Sequence, residues 1–156
     1  MNTGTNTPAM DMKVKLSTLW LFATLNYLYC DVVTLMDPQK LNQFAAGTVG
    51  GMEITQGFLL GAGVLVEIPI AMVLLSRILK HRLNRWTNII AGLIMTAVQV
   101  MTLLPSQPTP YYVFFSIVEI ATTSLIIGFA WKWSGSQAQT QPMADPHSQA
   151  GAWTQT

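Results

Sequence analysis

Three acidic side chains, Asp31, Glu67 and Glu119, lie within long apolar runs that hold no Lys or Arg to neutralise them. A charged side chain at the centre of a bilayer costs about 2.5–3.5 kcal/mol even on the permissive insertion scale. Each acid must therefore be protonated and hydrogen-bonded, or ionised beside water or a bound cation. Carboxyls in such settings exchange protons, hold cationic ligands or serve as general acids and bases. Asn26 and Tyr27, one turn before Asp31, and Gln99 in the third run supply polar groups that can assist them. The candidate proton, cation or ligand site is accordingly Glu67, Glu119, Asp31, Gln99, Tyr27 and Asn26.

Other chemistries find little support. His81 and His147 both fall outside the apolar runs, so neither joins a carboxylate cluster by spacing, and no metal site is expected. A haem would want a histidine within a run. Phosphate-binding glycine loops, nucleophile elbows and H-E-x-x-H are missing, and no cofactor is implied. Cys30 is the single cysteine, which excludes an internal disulfide and a C-x-x-C redox pair. It reads as a small apolar packing residue.

The elements that position these groups are four apolar runs: Leu16 to Met36, Thr55 to Ser76, Thr87 to Leu104 and Tyr111 to Trp131. They are 21, 22, 18 and 21 residues long. About 20 helical residues cross a hydrocarbon core of about 30 Å. The chain of 156 residues is 51% hydrophobic and only 10% charged, against about 25% charged in soluble domains. A soluble domain is excluded, and the expected fold is all-α: a four-helix transmembrane bundle with short loops. A net charge of +1 without a basic stripe argues against nucleic-acid binding. The first run is longer than the 7–15 residues of a signal-peptide core, so it is expected to be a retained span.

Around this bundle, residues 1–12 read as a disordered polar leader and 134–156 as a disordered Ser/Gln/Thr-rich tail, leaving 13–133 as the membrane domain. Between the first two spans, Asp37-Pro38 offers a helix cap followed by a first-turn proline. The segment from there to Gly47 is either a short surface helix or an irregular loop, and Gly50-Gly51 interrupts whatever follows.

Basic residues set the orientation. Lys13, Lys15, Lys132 and the Arg77 to Arg85 loop, with Arg77, Lys80, Arg82 and Arg85 as topology determinants, fall on one side; Lys40 alone falls on the other. Both termini are then cytoplasmic. Trp86, Trp131 and Trp133 mark the inner interface, and Tyr111 and Tyr112 the outer one. Counted from the outer ends, Asp31 is 5 residues deep, Glu119 is 8 and Glu67 is 12.

Each span carries a polar or small stripe at helical spacing. The first holds Trp20, Thr24, Tyr27, Asp31 and Thr34; the third Asn88, Gly92, Met95, Gln99 and Thr102. The fourth holds Tyr112, Ser116, Glu119 and Thr123, continuing to Ala130. In the second, Gly63 and Glu67 share a face, Gly57 and Gly61 form a G-x-x-x-G pair beside it, and Pro69 frees the Leu65 carbonyl near Glu67. Helix packing accounts for the lone Thr, Ser, Gly and Gln positions. The stripes predict that Asp31, Gln99, Glu119 and Glu67 all face other helices, and Glu67 and Glu119, if they share a site, form a candidate pair for a proton or a cationic ligand.

The segments Glu67-Ile68-Pro69-Ile70-Ala71-Met72, Ser76-Arg77-Ile78-Leu79-Lys80 and Asn84-Arg85-Trp86-Thr87-Asn88-Ile89-Ile90-Ala91-Gly92 resemble a family of small bacterial four-span membrane proteins catalogued as a domain of unknown function. Thr55-Gln56-Gly57-Phe58-Leu59-Leu60 fits the same pattern, and the resemblance spans residues 13 to 133. It implies a helical integral membrane protein of bacterial type and supplies no activity or catalytic residue.

Three functions compete. One is a small proton- or cation-linked, transporter-like protein using the intramembrane carboxylates; its four helices alone would scarcely enclose a path, which calls for a homodimer or larger membrane complex. Another is a membrane enzyme working on a lipid-like substrate through Glu67 and Glu119 with Tyr27 or Asn26. The third is a non-catalytic accessory subunit. The transporter-like reading is placed ahead of the enzyme. The lipid bilayer is the one partner implied directly, and the small-molecule ligand is unknown.

Overall fold

The computed structural model describes residues 11–104 and 108–133. The proposed leader up to residue 10, the stretch 105–107 and the tail 134–156 lie outside the described residues. Within them run α1 (Met12–Met36), α2 (Pro38–Ala45), β1 (Thr48–Val49), β2 (Met52–Glu53), α3 (Gln56–Ile78), α4 (His81–Leu103) and α5 (Pro110–Lys132). The four long helices have 25, 23, 23 and 23 residues, about 34–38 Å at 1.5 Å per residue, enough to span a bilayer. The chain is an all-α membrane-spanning bundle.

Local sequence explains the ends. The Asp11 carboxylate accepts from the Lys13 amide at 3.3 Å, so α1 starts four residues before the apolar run. Asp37 caps α2 through the Gln39 amide at 2.9 Å, ahead of Pro38, which makes this segment a helix and not an irregular loop. The Thr55 hydroxyl accepts from the Phe58 amide at 3.1 Å and opens α3. Gly50 and Gly51, at φ +55° and +83°, form the two-residue turn of a small hairpin in which Val49 pairs Met52 and Thr48 pairs Glu53. Two successive positive φ angles are what such a tight turn needs, and glycine adopts them without strain. The Gly-Gly pair was the available signal for this hairpin, which sequence reasoning read only as a break.

The expected Arg77 to Arg85 loop is mostly helix. Arg77 lies in the last turn of α3, Arg82 and Arg85 lie in the first turns of α4, and only Leu79 and Lys80 link the two. Arg and Lys are good helix formers, so helices continue past the apolar window into the interface.

The long helices alternate in direction. α1 packs on α3 and α5, α4 packs on α5, and α4 touches α3 more sparingly. The core between them is Leu16, Trp20, Ala23, Met72, Ala91, Met95 and Ile126. Helix α4 buries seven residues and α5 six, but α3 buries only Pro69, Met72 and Ser76. Gly92 lets α4 and α5 approach: a Cβ there would stand 2.8 Å from Ile127 Cγ1.

Candidate functional site

Polar side chains gather at two levels of the bundle. At the end formed by the start of α1, the end of α3 and the start of α4, Asn88 is the centre. Its Oδ1 accepts from Trp20 Nε1 at 2.7 Å and from the Ser76 hydroxyl at 3.2 Å. Its Nδ2 donates to Asn84 Oδ1 at 2.6 Å and to the Asn84 carbonyl at 2.7 Å, while Asn84 Nδ2 donates to the Ser76 carbonyl. Beside it, Ser17 donates to the Val73 carbonyl at 2.8 Å and accepts from Arg77 Nε at 3.0 Å. Trp20, Ser76, Asn84 and Asn88 are fully buried. Every side-chain amide atom of Asn84 and Asn88 has a partner, so this network locks three helices together and leaves no group free for a ligand. Arg77, expected only to set topology, also ties α3 to α1. Sequence reasoning placed Asn88 on the packing stripe and overlooked Asn84, which stood among the charges of the presumed loop.

The second level lies between α1, α4 and α5, nearer the opposite end. Glu119 is nine residues into α5 and only 2% exposed. Its Oε1 accepts from Asn26 Nδ2 at 3.2 Å, and the same nitrogen lies 3.4 Å from the Phe115 carbonyl. Glu119 Oε2 is buried without any hydrogen-bond partner, and so is the Tyr27 hydroxyl. Tyr27, Cys30, Asp31 and Tyr112 all stand within electrostatic reach of the Glu119 carboxyl. Toward the helix ends, Gln99 Nε2 donates to the Ser116 hydroxyl at 2.7 Å, and Ser116 donates to the Tyr112 carbonyl at 2.7 Å. The Tyr112 hydroxyl donates to Thr102 Oγ1 at 2.8 Å, and the Thr96 and Thr123 hydroxyls meet at 2.8 Å. The α4–α5 seam is thus satisfied on both sides of an acid whose second oxygen is not.

Of the six candidate residues, Glu119, Asn26, Tyr27 and Gln99 face the bundle interior. Asp31 is exposed on α1, although near Glu119. Glu67 is exposed on α3, away from the interior, so Glu67 and Glu119 do not share a site. Helical geometry supplies the reason. Pro69 is fully buried, and Glu67, two residues earlier, points about 200° round the helix from it. The acidic neighbour that Glu119 acquires is Asp31. Among the described residues, no three His, Cys, Asp or Glu side chains come together as a metal site. The hollow of about 380 Å³ lined by His81, Arg82, Arg85 and Trp86 belongs to the basic end of the bundle. There Arg85 stacks 5.8 Å over the Trp131 ring and His81 meets Trp133 edge-on at 4.5 Å.

No curated protein and no solved structure matches the chain. A family description does, over residues 9–140, a span that takes in all four long helices and both polar levels. The chain belongs to this family, the DUF6326 family of unknown function, whose member here is a multi-pass integral membrane protein.

Proposed function

We propose that the protein is a small proton- or cation-linked, transporter-like protein of the bacterial inner membrane, with both termini cytoplasmic and Glu119 as its exchange group. The observation that carries this is the unpartnered, buried Glu119 Oε2. Buried polar atoms are nearly always satisfied, and an orphan carboxyl oxygen deep in a membrane bundle is a place for a proton or a cation. Asn26 holds Oε1 and so directs Oε2. Tyr27 brings a second unpartnered oxygen to the same region, able to accept from or donate to whatever arrives. Asp31, exposed about five residues from the end of α1, gives an acidic stepping stone between Glu119 and the nearer interface. Acid–base catalysis through Glu67 and Glu119 together loses its support, since the two carboxyls are apart.

Glu119→Gln tests the reading because it keeps size and hydrogen bonding and removes titration. The protein is reconstituted in liposomes containing a pH-sensitive dye, with tetraphenylphosphonium as the cationic probe. Infrared difference spectra follow its carboxyl bands as pH is stepped from acid to alkaline. Wild type is expected to move protons or the probe and to show a titrating carboxyl band, while Glu119→Gln folds normally and loses both. Flux that persists undiminished in Glu119→Gln, or wild-type flux no greater than that of empty liposomes, overturns the proposal.

A further inference from the structure

Glu67 is left without a role in the bundle, and its position makes that costly. It lies eleven residues from each end of α3, about 16 Å from either interface at 1.5 Å per residue. No Glu side chain reaches water over that distance. The surrounding residues form a regular outward seam: Leu60, Val64, Glu67, Ala71, Leu74 and Ile78, spaced four, three, four, three, four. Leu60 and Ile78 are each 71% exposed, and Leu74 is 67%. This is the spacing with which one helix meets another along a left-handed seam.

The glycines of α3 add an independent observation. A Cβ built on Gly61 or Gly63 would meet nothing within 4 Å, whereas one on Gly92 would collide with Ile127. Gly92 is needed by packing within the chain; Gly61 and Gly63 are not. Of the two, Gly63 lies one turn before Glu67 on the outward face, where a small residue allows a second backbone to come close.

The occupant that fits this face is a second copy of the chain. Two copies inserted in the same orientation and related by a two-fold axis along the membrane normal bring each residue opposite itself at equal depth. Glu67 then meets Glu67, and a pair of carboxyl groups sharing a proton both donates and accepts. A copy guarantees such a group at the depth where it is needed. We propose that the protein forms a parallel two-fold dimer through the outward seam of α3, with the two Glu67 carboxyls hydrogen-bonded across its middle. This assembly does not depend on the role of Glu119.

The test uses the full chain in membranes, in a Cys30→Ala background. Single cysteines are introduced by Leu60→Cys, Val64→Cys and Leu74→Cys on the seam, and by Leu93→Cys and Leu125→Cys on exposed faces of α4 and α5. Oxidation should cross-link the seam variants to dimers and spare the other two. Photobleaching of labelled protein in lipid-dilute liposomes should show two copies per spot. Glu67→Gln, whose amide also donates and accepts, should keep the dimer. Glu67→Leu should weaken it about 3- to 20-fold, the range for one interhelical hydrogen bond, and Glu119→Gln should leave it unchanged. Single-copy spots, cross-linking that favours the α4 or α5 positions, or seam cysteines that capture a different protein would each refute the dimer.

Discussion

Replacing Asn88 by alanine removes the centre of the network that joins α1, α3 and α4, and its cost can be worked from the bonds that end there. Two of them are interhelical: Trp20 Nε1 from α1 at 2.7 Å and the Ser76 hydroxyl from α3 at 3.2 Å. Interhelical hydrogen bonds in membranes average about 0.6 kcal/mol and reach about 1.7 kcal/mol, so the pair contributes roughly 1–3 kcal/mol. Trp20 is fully buried, and its indole N–H would be left without an acceptor, with a small cavity beside it. Together these give an expected destabilisation of about 2–4 kcal/mol for Asn88→Ala. Trp20→Phe removes one of the two bonds and should cost about 1 kcal/mol, and the double variant should cost less than the sum by a similar amount. Thr18→Ala is the control. Thr18 is exposed and bonds only to the Val14 carbonyl of its own helix, so its change should stay within about 0.5 kcal/mol of zero. Reversible unfolding in bicelles, by detergent titration or steric trapping, measures the four variants against wild type. An Asn88→Ala variant as stable as wild type, or a cycle with no coupling between positions 20 and 88, would show that the network does not hold the helices together.

Gly92→Ala should destabilise the bundle by about 1–2 kcal/mol through the clash with Ile127, and adding Ile127→Ala should recover part of the loss; Gly61→Ala should not lower monomer stability in the same unfolding assay. Reporter fusions after Lys132 and at Thr109 should report cytoplasmic and external locations respectively, from the excess of basic residues at the α3–α4 end. Opposite reporter signals would reverse the orientation and, with it, the side from which Asp31 is reached.

Much of the architecture is a local matter and could be read directly from residue order. Four apolar runs of membrane length can become only helices in a bilayer, because every backbone polar group must be satisfied within the segment. Asp37-Pro38 starts α2, and the polar stripes of α1, α4 and α5 mark inward faces over most of their length: Trp20, Asn88, Gln99, Ser116, Glu119 and Thr123 are buried, while Asp31 and Thr102, toward the helix ends, are exposed. On these helices polar residues recur at helical spacing among apolar ones, so the pattern itself carries a direction. Helix α3 carries none. Between its polar ends, over residues 57–75, it is apolar all round, with Glu67 and the glycines as its only departures, and lipid and protein are almost equally good neighbours for such a surface. Packing against α1 therefore chose its inward face as Pro69, Met72 and Ser76, which sent Glu67 outward and parted it from Glu119. Position along the chain also could not say whether Asn26 or Tyr27 would reach Glu119, since adjacent residues point about 100° apart. The crossing of α1 over α5 brought the amide into hydrogen-bonding range and left the phenol without a partner. Residue order determined which groups enter the membrane; the relative rotation of the helices decided which of them meet.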